Sequence, residues 1–310
     1  MRACGRIGHM LKTLLARLAG ADRVEIGDDL WQQALERLPC AAALAAGDRD
    51  RLRALCQQLL ARKEMAAAAG LELTAAIQVQ IAVQACLPIL NLGIDWYRGW
   101  TSIVVYPSDF VAPRRITDDD GVVHEYDEPI SGEAWEGGPL VVAWSAAGDD
   151  HASAWSHNVV IHEFAHKLDM LNGDADGLPP FDRSLHPKLD ARRWRATLAD
   201  AFERFGAELD LIESDLPADV DPDSSAADPY YAHLPLDPYA AQDEGEFFAV
   251  SSEQFFVDPQ RLARAFPDWY GLLAQFFRQD PRARAAPQSA GEAHPDSAGE
   301  RHPDRRGGRA

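Results

Sequence analysis

Two histidines four residues apart, His162 and His166, enclose Glu163 in the run His162-Glu163-Phe164-Ala165-His166. On an α-helix, positions i and i+4 lie one turn apart on the same face, so both imidazoles aim at one point. Zinc accepts two such nitrogens at about 2.0–2.1 Å; a catalytic site adds a third protein ligand and keeps one position for water. Glu163 is rotated by about 100° from His162, beside the metal rather than on it. A general base acting on an activated water belongs there. The bland reading, two packed and hydrogen-bonded histidines, stays open on the motif alone. The neighbours Val159, Val160, Ile161, Phe164 and Ala165 weigh against it. Burying a glutamate and two histidines among them is costly unless a metal or polar partners compensate.

The third ligand must come from elsewhere. Asp169 and Asn172 occupy the places where a metzincin carries its diagnostic glycine and third histidine, which excludes that spacing. A glutamate from a later helix is the other common solution, and 243–256 offers Glu246 and Glu253. Seven residues apart, they share a helix face but stand roughly 10 Å apart along the axis, so both cannot ligate one ion. The bland alternatives are a capping box with Asp243 for Glu246 and a surface carboxylate for Glu253. Asp169, seven residues after His162, returns to the same face and is a candidate to hold an imidazole from behind; its alternative is a helix-surface aspartate.

These groups need elements to carry them. A helix over about 152–171, ended near Asn172-Gly173, would carry the histidines and one over about 244–256 the glutamates, with a last helix over 259–278 after it. Helical spacing also marks Leu11, Leu14, Leu15 and Leu18, then Leu30, Ala34 and Leu38, then Asp48 to Ala69, and later Pro187 to Leu209. Thr74 can cap a helix to Cys86, although Ile77-Gln78-Val79-Gln80-Ile81 alternates like a strand. Ser102–Tyr106 and Leu140–Trp144 read as strands. The second is the expected sheet edge for an extended substrate.

The 310 residues carry a formal charge of −19, which excludes nucleic acid as a direct partner. Between Gly206 and Gln260 there is no Lys or Arg; the stretch reads as a solvated acidic segment, with a charged lip beside a binding site as the sharper alternative. Cys4, Cys40, Cys56 and Cys86 form no C-x-x-C pair, so they support neither a zinc ribbon nor a redox motif. Polar residues interrupt the apolar run from Ala75 to Leu92, which argues against a membrane span. Lys12 and Arg17 break the N-terminal Leu-rich segment, so a signal peptide is not expected and a cytoplasmic location is. Ser289–Asp296 and Ser297–Asp304 repeat one octapeptide with a single change, Ala293 against Arg301. Residues 281–310 are therefore expected to be a disordered low-complexity tail. Residues 1–280 would form one domain whose N-terminal part, about 1–95, is helical.

The stretch Asn158 to Asp169 resembles the active-site helix of the Mlc titration factor A family, glucose-regulated bacterial zinc peptidases. Ile81 to Pro88, Gly132-Glu133-Ala134-Trp135 with Gly138-Pro139, and Glu246-Phe247-Phe248-Ala249-Val250 match in the same order. The family is similar around its active site to the catalytic domain of anthrax lethal factor, where the glutamate of E-F-F-A binds zinc and a tyrosine seven residues earlier assists. By that resemblance Glu246 is the third ligand, Tyr239 is a catalytic residue, and Glu253 is a supporting or surface residue. The resemblance further implies one Zn2+ per chain and peptide or protein substrates. The expected fold is mainly helical α+β, a zincin-like metallopeptidase with a small sheet, an H-E-x-x-H helix and a downstream glutamate-bearing helix. The expected activity is that of a gluzincin-like hydrolase, with aminopeptidase action among its options. The family name also implies an alternative: a regulator-binding protein that sequesters a transcriptional repressor of sugar uptake.

Overall fold

The computed structural model describes residues 24–284, except 109, 118–122, 131, 135–136, 145–157 and 223. The expected helix around Leu11–Leu18, the start of the histidine helix before Asn158 and the repeat tail from 285 lie outside the described residues.

The N-terminal part is helical: α1 (Asp28–Glu36), α2 (Pro39–Ala42), α3 (Ala46–Arg62) and α4 (Ala75–Cys86). Thr74 Oγ1 accepts the Ile77 N–H at 3.3 Å and caps α4. This resolves the strand-like alternation in favour of a helix. Val79 through Val83, Ala85 and Cys86 are all buried, and a helix enclosed on most faces needs no polar stripe.

The helix expected over Asp48–Ala69 stops short, and Glu64–Ala67 is strand β1. Met65, Ala66 and Ala67 are acceptable helix residues, but pairing overrides propensity. β1 runs parallel to β2 (Ser102–Tyr106), Glu64 opposite Ser102. Lys63 turns the chain at this point, its Nζ donating to the carbonyls of Tyr97 and Trp100.

The main sheet has the order β1-β2-β6-β5. β6 (Leu140–Ala143) is parallel to β2 and buried at every position; β5 (Gly132–Ala134) pairs antiparallel with it, Gly132 opposite Val142. The expectation that Leu140–Trp144 is the edge is therefore overturned: β6 is an interior strand, and among the described residues the outer strands are β1 and β5. Strands β3 (Phe110–Thr117) and β4 (Val123–Ile130) form an antiparallel hairpin between β2 and β5.

The C-terminal part is again helical. α5 (Val159–Asp169) carries the histidines and ends in a single 3-10 turn, Met170–Asn172. α6 (Ala191–Ser214) starts four residues later than expected, because Asp190 Oδ1 caps the N–H groups of Arg192 and Arg193, and it runs on to Ser214. The acidic stretch that follows holds one short helix, α7 (Asp228–Tyr231), with Tyr231 buried. Glu208, Asp210, Glu213, Asp215, Asp219 and Asp221 are all exposed, as a solvated segment requires.

The last segment is α8 (Glu244–Val257), α9 (Pro259–Ala265) and α10 (Pro267–Phe277). The single helix expected over 259–278 is interrupted because Pro267 forces Phe266 out of helical geometry, at φ −130° and ψ 68°. Pro281 is buried and opens a last 3-10 turn. The architecture is a mainly helical α+β fold, with one apolar cluster running from α1 through the sheet to α10.

Trp194 on α6 sits at its aromatic centre, 4.8 Å from Trp269 and 5.8 Å from Phe276 between ring centroids. Beside them His186 is buried, its ring stacked on Phe276. Nε2 donates to the Phe276 carbonyl at 2.9 Å and Nδ1 accepts the Asp182 N–H at 3.1 Å, so the network assigns a neutral ring. Burial pushes its pKa below 6.5, more than the Phe276 carbonyl and Asp182 raise it. Below that value the unfolded chain binds a proton the folded chain refuses, so stability is lost as pH falls. The urea midpoint of the wild type should drop between pH 7 and pH 5, and His186→Gln should make that drop shallower. Equal slopes for the two proteins would refute this account.

Candidate metal centre

Asn158 opens α5, its Oδ1 accepting the Ile161 N–H at 2.9 Å. The apolar face of the helix seals it into the core: Ile161, Phe164, Ala165 and Leu168 have no exposed surface, and Tyr97 meets Phe164 edge-on at 4.9 Å. Lys167 Nζ donates to the Gly138 carbonyl at 3.0 Å, tying the helix to the turn before β6. The opposite face carries His162 and His166, rings 4.7 Å apart.

The second half comes from α8. Phe247 and Phe248 are fully buried in the aromatic cluster, and this anchoring turns Glu246 the other way, toward the histidines. Asp243 Oδ1 accepts the Glu246 N–H at 2.8 Å, so half of the capping box exists. The Glu246 carboxylate does not return to complete it; Oε2 lies 3.0 Å from His162 Nε2 and 3.3 Å from His166 Nε2. The two Nε2 atoms are themselves 3.0 Å apart. His162, His166 and Glu246 thus bring one donor atom each to a common point.

Donor chemistry shows what belongs at that point. Glu253 Oε1 lies 2.7 Å from His162 Nδ1, and its Oε2 accepts the Asn158 N–H at 2.7 Å. A carboxylate at Nδ1 draws the imidazole proton there, leaving a lone pair on Nε2. That lone pair, the Nε2 of His166 and a carboxylate oxygen all converge, so a positive centre is needed between them. Ligands about 2.0–2.1 Å from a tetrahedral ion lie roughly 3.3–3.4 Å from one another. The spacings of 3.0 to 3.3 Å are slightly tighter than that, so the residues present fit such an ion.

The electrostatics carry the same demand. Burial works against a charged His162, yet Glu246 and Glu253 outweigh it and hold its pKa well above 6.5. Burial likewise works against ionised Glu246, but the two imidazoles hold its carboxyl well below the usual range. A positive charge is wanted here, and a metal ion satisfies the same demand as a proton.

Glu163 stands beside the cluster with 4% of its surface exposed. Burial raises its pKa to about 7 against the pull of His162 and His166, with Glu246 and Glu253 adding to the rise. Its Oε2 is buried with no hydrogen-bond partner among the described residues. Tyr239 sits in the 3-10 turn Pro238–Ala241 that leads to α8, its N–H capped by Asp237 Oδ1 at 2.8 Å. Its ring centroid is 6.1 Å from that of His162, and 47% of the residue is exposed. It is therefore a rim residue rather than a packed loop tyrosine.

Asp169 does something other than expected. Its Oδ2 accepts the Gly177 N–H at 2.7 Å, and no hydrogen bond joins it to an imidazole among the described residues. Glu253 holds His162 instead. Asp169 fixes the loop after α5: Trp194 Nε1 donates to the Gly177 carbonyl at 2.7 Å, and this loop buttresses the start of α8. The approach is close enough that a Cβ on Gly245 would lie 2.5 Å from the Ala175 carbonyl oxygen.

Metal-dependent peptidases join a two-histidine helix to a carboxylate from a second helix in this manner, and sequence comparison leads to the same class. The profile of the glucose-regulated metallo-peptidase family M90 matches residues 15–278, and the chain belongs to that family. Among its relatives, Mlc titration factor A of Salmonella arizonae is 36% identical over 258 residues, 83% of this chain and 93% of the relative. The protein of the same name from Klebsiella pneumoniae is 37% identical over 255 residues, covering 82% and 87% of the two chains. That of Salmonella typhi is 37% identical over 261 residues, covering 84% and 89%. Among the described residues no helix is long and apolar enough to cross a membrane.

Proposed function

We propose that this chain is a zinc-dependent peptidase, with His162, His166 and Glu246 as ligands and Glu163 as general base. The observation that carries the reading is the convergence of three donor atoms beside a buried carboxylate that has an unpartnered oxygen. Bound zinc supplies a Lewis acid that activates water and polarises the scissile carbonyl. Glu163 accepts the proton of the attacking water and returns it to the leaving amine, one buried carboxylate serving both steps. Tyr239, at the rim, donates its hydroxyl to the substrate oxygen that gains negative charge. Glu253 holds His162 in the tautomer that leaves Nε2 free to bind. An extended peptide adds to the free edge of β5, above Glu163. The site is taken to work in the cytoplasm on peptide or protein substrates. Metal analysis of purified protein, with a peptide-library digest, tests this: about one zinc per chain and cleavage are expected, and a metal-loaded protein that cuts nothing would refute it.

The relatives' name favours a second reading, that the chain titrates a regulatory protein of the Mlc kind. Immobilised protein should then retain Mlc from solution, and Glu163→Gln should retain it equally. Failure of both proteins to bind purified Mlc would remove this reading and leave the peptidase untouched.

A further inference from the structure

Gly132 lies on the edge strand β5, and α5 packs against both β5 and β6. A Cβ placed on it would lie 2.3 Å from Glu163 Oε1 and 2.6 Å from both Cδ and Cγ. Atoms do not approach so closely, so position 132 admits no side chain while Glu163 keeps its place. Gly132 is paired in the strand ladder and carries no positive φ, so backbone conformation does not account for the glycine. The three atoms nearest to such a Cβ all belong to the Glu163 arm.

The geometry points to Gly132 as a positioning residue that fixes where the Glu163 carboxylate stands. This rests on the reading of Glu163 as general base. The strand backbone is held by its ladder to β6, Gly132 opposite Val142 and Ala134 opposite Leu140. The glutamate arm is the softer partner, a long side chain whose Oε2 makes no hydrogen bond among the described residues. A methyl group at 132 therefore displaces the carboxylate and leaves the strand in place. The same flexibility that makes the substitution tolerable to the fold makes it damaging to the chemistry. Small displacements of a reacting group, on the order of 1 Å, cost about 100-fold in rate.

The test compares zinc-loaded wild type, Gly132→Ala, Glu163→Gln and the double variant. Gly132→Ala should keep its metal content and its urea midpoint. Its kcat should fall by about 100-fold, while KM changes by less than about threefold. In the Glu163→Gln background the same substitution should cost nothing further, because both changes act through one carboxylate. A crystal structure of Gly132→Ala should show Glu163 in a different rotamer with the β5–β6 register kept. Wild-type kcat in Gly132→Ala, loss of metal, or an equal fall in both backgrounds would each overturn the proposal. If Glu163→Gln cleaves like wild type, the general-base reading has failed; an unmoved Glu163 in the Gly132→Ala crystal instead defeats the positioning claim alone.

Discussion

Glu163→Gln should reduce peptide hydrolysis by about 10³-fold, within the range a positioned general base contributes, while the protein still carries its zinc. The substitution keeps the size and shape of the side chain and removes its basicity. The donor atoms at the common point belong to His162, His166 and Glu246, so the binding site itself is not altered. Glu163 is buried and its Oε2 has no partner among the described residues, so the amide breaks no hydrogen bond seen at that oxygen, and folding should survive. Hydrolysis assays with metal analysis on the same preparation check both halves. Activity retained at the wild-type level would leave Glu163 without a catalytic role.

The second large effect concerns metal affinity and separates the two glutamates of α8. Glu246→Ala removes one of three converging donors, and zinc affinity should fall far beyond 100-fold. Glu253→Gln leaves all three in place and loosens His162 from behind, for which a loss of roughly 10–100-fold is expected. Competition with a chelator of known affinity ranks wild type, Glu253→Gln and Glu246→Ala in that order. The reverse ranking, with Glu253→Gln the weaker binder, would mean the ligand has been misassigned.

The histidine helix was legible because i and i+4 geometry is local: two imidazoles and a glutamate need only one helix to stand as they do. The choice between Glu246 and Glu253 was not. Spacing showed that both share a face and cannot meet one ion, but only the resemblance selected one. The structure puts both at a single ring, Glu246 at Nε2 and Glu253 at Nδ1 of His162, an arrangement that seven-residue spacing permits and does not require. Asp169 misled for the same reason. Its position on the helix face suited an imidazole, while its hydrogen bond goes to a loop whose path no periodicity reveals. The mainly helical α+β class was readable from apolar spacing, yet four strands were missed: β1, β3, β4 and β5. β1 and β5 are short and do not alternate, β3 and β4 carry Pro113, Pro129 and several charged residues, and each of the four exists through the neighbour it pairs with. Gly132 had no signal at all as a spatial requirement, since its partner Glu163 lies on another element.

The grip of α8 on His162 has a consequence for how the centre assembles. One rigid element contacts both nitrogens of one ring, 3.0 Å at Nε2 through Glu246 and 2.7 Å at Nδ1 through Glu253. The two glutamates stand roughly 10 Å apart along the helix axis, and their carboxylates meet the ring at its two ends. A slip of α8 by one residue's rise, about 1.5 Å, therefore stretches one contact while it crowds the other. The ring acts as a stop against sliding in either direction, and the register between the two helices is set where both carboxylates meet it.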